Sequence, residues 1–144
     1  MQISITGGAG YIGRHLVAEI QRNADSRIKV LSRSRGPAME DMNLGASVEV
    51  VEGDLCEPDS LKGFLDPGCT VVNLVYLWGA GEAKNLTVTQ NLLDACKAAK
   101  VGRLIHCSTA AVVGRAQDDC ITEETLCEPV TEYGITKLKV EEAV

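Results

Sequence analysis

Five short aliphatic runs alternate with stretches of helical spacing along this chain, and that alternation restricts the fold more than any single residue does. The runs are Ile3-Ser4-Ile5, Arg27-Ile28-Lys29-Val30-Leu31, Val48-Glu49-Val50-Val51, Thr70-Val71-Val72-Asn73-Leu74-Val75 and Arg103-Leu104-Ile105-His106-Cys107. Runs of this length and composition suit parallel strands covered on both faces. Tyr11 to Asn23 and Ala83 to Lys100 read as helices. In the second, Leu86, Leu93 and Cys96 predict the inward stripe, with Lys84, Asp94 and Lys97 toward solvent. Strands that alternate with helices are joined by right-handed crossovers. The expectation is therefore an α/β protein with a Rossmann-like doubly wound parallel sheet, in one domain spanning residues 1–144.

Composition narrows the function classes. The net charge is −6 and the only close pair of arginines is Arg33/Arg35, so the basic face that nucleic acid requires is missing. No apolar stretch approaches the roughly 20 residues that span a bilayer, and Met-Gln-Ile-Ser-Ile-Thr-Gly is not a secretory leader. The six cysteines, at 56, 69, 96, 107, 120 and 127, form no CxxC pair and read as reduced thiols, with no metal site. These features point to an acidic, soluble, cytoplasmic protein. Arg115 to Val130 is polar and aperiodic, contains Pro129, and reads as a surface loop.

The first β run leads directly into Thr6-Gly7-Gly8-Ala9-Gly10-Tyr11-Ile12-Gly13, which opens the first helix. Glycine there permits the positive φ of a sharp strand-to-helix turn, lets a pyrophosphate approach the backbone at Gly10, and lets the helix pack close at Gly13. The free N–H groups and the helix dipole then favour phosphate, which makes the turn a dinucleotide-binding candidate. The end of the second run, where a carboxylate commonly bonds the ribose, holds Leu31-Ser32-Arg33-Ser34-Arg35 instead. Two guanidiniums and two hydroxyls suit a 2′-phosphate, hence NADP(H) with NAD left open; the plain alternative is a pair of solvated loop arginines. Asp54, in Gly53-Asp54-Leu55, could accept the adenine amine or simply cap a turn before Pro58.

Tyr133-Gly134-Ile135-Thr136-Lys137 sets a phenol and an ammonium one helical turn apart. A nearby cation favours the phenolate, so Tyr133 could exchange a proton with a substrate oxygen while hydride moves to or from a nicotinamide. Hydroxyls of Ser108 and Thr109 follow the fifth run, where ligands bind in such sheets, although either could equally cap a turn.

Together the glycine turn, Gly53-Asp54-Leu55, Asn85 with Asn91-Leu92-Leu93-Asp94-Ala95, Ser108-Thr109-Ala110-Ala111-Val112-Val113-Gly114 and the Tyr133/Lys137 pair stand in family order. In that set the chain resembles the extended short-chain dehydrogenases/reductases, the NAD(P)-dependent epimerases and dehydratases, over essentially its whole length. The resemblance implies that Tyr133 is the catalytic acid/base, and that Lys137 binds the nicotinamide ribose and lowers the Tyr133 pKa. Thr109 aligns with the catalytic hydroxyl, with Ser108 as second choice. Gly7, Gly10 and Gly13, with the backbone of Tyr11 and Ile12, would hold the pyrophosphate, and Asp54 and Leu55 would flank adenine. Where the family has small alanines near the cofactor, this chain has Leu74-Val75-Tyr76, so Leu74 joins the cofactor neighbours and Tyr76 could narrow the site. Val113 replaces the usual tyrosine before Gly114.

The implied activity is epimerisation, dehydration or keto reduction of a nucleotide-activated sugar. Alternatives are an NADP-dependent reductase of a small or steroid-like ketone, and a dinucleotide-binding regulatory or scaffold protein that no longer catalyses. Family members continue beyond the Tyr-Lys helix into a substrate lobe, so this chain is expected to be truncated and inactive alone. A homodimer through the two long helices is compatible with the pattern.

Overall fold

The computed structural model describes residues 1–22, 25–34, 36, 39, 42–115 and 120–144. The elements run β1 (Gln2–Thr6), α1 (Tyr11–Gln21), β2 (Arg27–Ser32), β3 (Val48–Glu52), β4 (Thr70–Asn73), α2 (Gly81–Ala99), β5 (Arg103–His106) and α3 (Glu132–Ala143). Short 3-10 turns occupy Pro58–Leu61 and Ala110–Val112. All pairings are parallel and the strand order is β3-β2-β1-β4-β5. The chain thus winds outward in one direction from β1, returns, and winds outward in the other. The crevice at that reversal, at the carboxyl ends of β1 and β4, is where such sheets bind ligands.

Each face has its own core. Ile3, Ile5, Val17, Ile28, Val30 and Met39 pack on the side of α1. Leu31, Leu55, Leu61, Phe64, Cys69, Val71, Val88, Leu92 and Cys96 pack on the side of α2. The division follows from strand alternation: Ile3 and Ile5 point one way, while Ser4 and Thr6 point the other. The Ser4 hydroxyl, fully buried, donates to the Phe64 carbonyl at 2.9 Å, so that polar atom is satisfied inside the core.

Several predicted boundaries move. The fourth run ends at Asn73 rather than Val75, because Asn73 Oδ1 accepts the Val75 N–H at 3.2 Å and turns the chain out of the sheet. The fifth run ends at His106, one residue early. The first helix closes at Gln21 with Arg22 as its cap. The second helix starts two residues early and ends with Lys100 in the left-handed conformation at φ 55°. Its buried face is Asn85, Val88, Thr89, Leu92 and Cys96, whereas Leu86 and Leu93 are only half-buried. Lys84, Asp94 and Lys97 are exposed as expected. The segment after the Ala110–Val112 turn returns through a single bridge between Gly114 and Glu128, and residues 121–124 are exposed. Among the described residues no helix is long and apolar enough to cross a membrane, and no group of His, Cys, Asp or Glu could hold a metal ion.

Candidate active site

Gly7 leaves β1 with φ +71°, and the Gly10 N–H donates to Gly7 O at 3.0 Å, closing the turn. Gly10 is the N-cap of α1 without a side-chain cap, and the helix has no acidic residue in its first turn. Its leading N–H groups therefore keep their capacity for an anion. A Cβ at Gly13 would overlap Gly7 O and stand 2.6 Å from Gly8 Cα, and one at Gly8 would stand 2.5 Å from Val30 Cγ1. The tight contact between helix and strand is thus possible only without side chains. Tyr11 and Ile12 point outward, 81% and 56% exposed, so what they offer the cleft is backbone.

That turn forms the floor of a cleft of about 400 Å³ lined by Leu31, Ser32, Arg33, Asp54, Leu55 and Leu74, among others. Arg33 is exposed at its rim; Arg35 lies outside the described residues. Ser32 Oγ donates to Ser34 O at 2.7 Å. Asp54 Oδ1 accepts the Cys56 N–H at 2.8 Å, and the Asp54 N–H donates to Ser60 Oγ at 2.8 Å. Asp54 therefore serves the turn, the plainer of the two sequence alternatives, and also lines the cleft. Asn91 Nδ2 on α2 donates to Leu55 O at 2.7 Å and holds the buried Leu55 against the cleft wall.

Across Gly7, Gly10, Leu74, Tyr76 and Trp78 the cleft continues into a second space of about 250 Å³ that also reaches Ser108, Tyr133 and Lys137. Thr131 caps α3, its hydroxyl accepting the Gly134 N–H at 3.0 Å, and this fixes the helix that presents Tyr133 and Lys137 to the same space. Gly134 lets α3 press on Ala111, where a Cβ would stand 2.5 Å from the carbonyl oxygen. Tyr133 stacks on Trp78 at 4.8 Å and 19°, with the edge of Tyr76 at 4.9 Å. Tyr76 lines both spaces, and Trp78 lines them with it.

Lys137 is 4% exposed; its Nζ donates to Cys107 O at 2.6 Å and lies 3.1 Å from His106 Nε2. Burial holds its pKa below the usual lysine range. Ser108 Oγ, which lines this space, is the buried side-chain polar atom without a hydrogen-bond partner among the described residues. The Thr109 hydroxyl instead accepts the Ala111 N–H at 3.2 Å and caps the Ala110–Val112 turn. Sequence reasoning did not reach Trp78 or His106. The chain's one tryptophan directly after the fourth run was the available clue to the first.

Strand order, glycine turn and cleft define a Rossmann-like fold of the dinucleotide-binding type, with a polar end at Ser108, Tyr133 and Lys137. The family model described as "NAD dependent epimerase/dehydratase family" matches residues 3–144. The chain is 33% identical over 129 residues to 2-alkyl-3-oxoalkanoate reductase of Shewanella oneidensis, covering 84% of this chain and 32% of that protein. It is 29% identical to a UDP-glucose 4-epimerase of Bacillus subtilis, over 99% of this chain and 46% of that one. Among solved structures, the UDP-glucuronic acid 4-epimerase of Bacillus cereus in complex with NAD aligns with TM-score 0.77 and 29% identity, covering 99% of this chain and 50% of that one. The chain belongs to the NAD-dependent epimerase/dehydratase family. It spans about a third to a half of the length of these relatives.

Proposed function

We propose that residues 1–144 form the nucleotide-binding domain of an NAD(P)-dependent enzyme that acts on a nucleotide-activated sugar by hydride transfer. The observation that carries this is one cleft running from Arg33 and Asp54, over the glycine turn, to Ser108, Tyr133 and Lys137. The uncapped start of α1 and the glycines that leave it room suit a pyrophosphate. Gly7, Gly10 and Gly13, with the N–H groups of Tyr11 and Ile12, would hold it, Asp54 and Leu55 would flank adenine, and Leu74 would border the nicotinamide end. Arg33 and Arg35 would take a 2′-phosphate, which favours NADP(H), although the Bacillus cereus neighbour is complexed with NAD.

The bound nicotinamide would supply the hydride acceptor and donor. Tyr133 would take a proton from the substrate hydroxyl or return one to the carbonyl, and Lys137 would tune it. The reacting oxygen would be held by the hydroxyl of Thr109, favoured by the family pattern, or of Ser108, favoured by its unpartnered Oγ. A homodimer through α2 and α3 belongs to the same reading.

A second reading, reduction of a small ketone, is favoured by the aromatic wall of Tyr76 and Trp78 beside Tyr133, which suits a flat or apolar body. Oxidised nucleotide that co-purifies supports the epimerase reading; release of cofactor between turnovers supports the reductase.

Calorimetric titration with NADP⁺ and NAD⁺ tests the site. Preferential NADP⁺ binding, weakened roughly tenfold or more in an Arg33→Ala/Arg35→Ala variant, is expected from lost charge-assisted hydrogen bonds. Equal or tighter binding of NAD⁺ overturns the cofactor choice, and binding of neither overturns the site.

A further inference from the structure

Helix α3 fixes the Cα of Tyr133, because Thr131 caps its start and Gly134 lets it press on Ala111. It does not fix the ring. Among the described residues no hydrogen bond reaches the Tyr133 hydroxyl, so the phenol has no polar tether and its place rests on packing. A tyrosine on a helix has two accessible χ1 wells, and a change between them swings the hydroxyl, at the far end of the side chain, across a wide arc.

Two rings oppose that swing. The Trp78 indole lies on the face of the Tyr133 ring at 4.8 Å and 19°. Tyr76 meets both, at 4.9 Å and 73° to Trp78 and at 4.9 Å and 89° to Tyr133. Each ring of the trio therefore touches the other two, in the stacked and edge-to-face arrangements that aromatic quadrupoles favour. Trp78 itself is 75% exposed, and burial does not hold it. Its backbone is held instead: the buried Asn85 side chain takes the N–H and carbonyl of Leu77 and the carbonyl of Gly81, one anchor on each side of the indole.

The trio also stands at a boundary. Tyr76, Trp78 and Tyr133 are the three residues shared by the space of about 250 Å³ that reaches Ser108 and Lys137 and by another of about 560 Å³ that opens toward Glu82 and Glu132. A Tyr133 ring that left the stack for the second space would carry its hydroxyl away from Lys137 and toward carboxylates, where exchange of a proton with the substrate oxygen would stop.

We propose that Trp78, steadied by Tyr76, is a positioning residue that clamps the Tyr133 ring at the space lined by Ser108 and Lys137. This rests on the reading of Tyr133 as the acid/base. The indole acts on the face of the phenol ring and so constrains it by contact. Proton exchange in step with hydride transfer needs the oxygen held to a fraction of an ångström, and side chains locked by packing supply that. The bulk at Tyr76, where the family has small residues, then has a use.

The test is NMR of the ligand-free chain with ¹³C-labelled tyrosine, its three tyrosines assigned through Tyr11→Phe and Tyr76→Phe variants. In wild type the Tyr133 ring resonances should lie upfield of free tyrosine, shifted by the indole ring current, and the ring axis should be as ordered as the α3 backbone. Trp78→Ala should abolish the upfield shift and lower the order of the ring, while the amides of Thr136 and Lys137 stay in place. Trp78→Phe, which can still stack, should restore the order. A Tyr133 ring as mobile in wild type as in Trp78→Ala, or as ordered in Trp78→Ala as in wild type, overturns the proposal. So does a Trp78→Ala spectrum disturbed all along α3, the mark of a general packing role. If Trp78→Ala does not fold, the wild-type ring order and the Trp78→Phe variant decide. These readouts need no nucleotide or substrate, so a chain that binds no nucleotide would overturn the functional reading and leave the clamp standing.

Discussion

At position 13 one methyl group is too much. Its Cβ would overlap the Gly7 carbonyl and press on Gly8, both backbone atoms of the turn and unable to rotate away. Gly13→Ala should cost about 1–3 kcal/mol by overpacking. It should also weaken nucleotide binding, because the helix must back away from the strand. Chemical denaturation and calorimetric titration measure the two effects; unchanged values in both would mean that the turn relaxes freely. Glycines 7, 10 and 13 were legible because their spacing and position in a βα unit carry the meaning. His106 was not. Its neighbours come from strands 33 and 100 residues earlier in the chain, and only strand order and register place Thr6, Asn73 and His106 side by side.

Among the elements, α2 shows how a helix can be placed correctly and its face only partly read, Cys96 being buried as expected and Leu86 and Leu93 only half-buried. Sequence periodicity counted apolar residues and chose Leu86, Leu93 and Cys96. The real inward stripe includes Asn85 and Thr89, whose polar atoms are satisfied within the structure. Asn85 has a task at a distance from the core. Its Oδ1 accepts the Leu77 N–H at 2.9 Å, and its Nδ2 donates to Leu77 O at 3.1 Å and Gly81 O at 2.9 Å. The amide pins the segment that carries Trp78, between Leu77 and the positive-φ Gly79 and Gly81. Asn85→Ala leaves those backbone groups without this partner, and a loss of about 1–3 kcal/mol is expected in denaturant unfolding. Solvent quenching of tryptophan emission should rise as Trp78 leaves Tyr133. Stability equal to wild type would show that water replaces the amide without penalty.

For the whole molecule, alternation of strands and helices with right-handed crossovers makes a doubly wound parallel sheet legible in the sequence, whereas the order β3-β2-β1-β4-β5 comes from the structure. The charge state of the interior is not legible there, since burial is a property of the assembled sheet. It has a thermodynamic consequence. Folding lowers the His106 pKa from 6.5, chiefly by burial. The unfolded chain therefore takes up a proton there more readily than the native one, and stability falls as pH drops from about 6.5 toward the folded value. Above that window this residue adds no slope. Urea midpoints measured at pH 7 and pH 5 should therefore separate more in wild type than in His106→Gln, and equal separations would mean that His106 titrates normally in the fold. The glycine turn has a different consequence, for descent. If the turn holds phosphate as proposed, what it offers is main chain, and Tyr11 and Ile12, whose side chains stand out in solvent, would be asked only for an N–H. Selection on phosphate binding can then weigh heavily on the absence of a side chain at position 13 while leaving the identities at positions 11 and 12 nearly neutral. Those two positions can drift, or take on an outward-facing duty, while the grip beneath them stays the same.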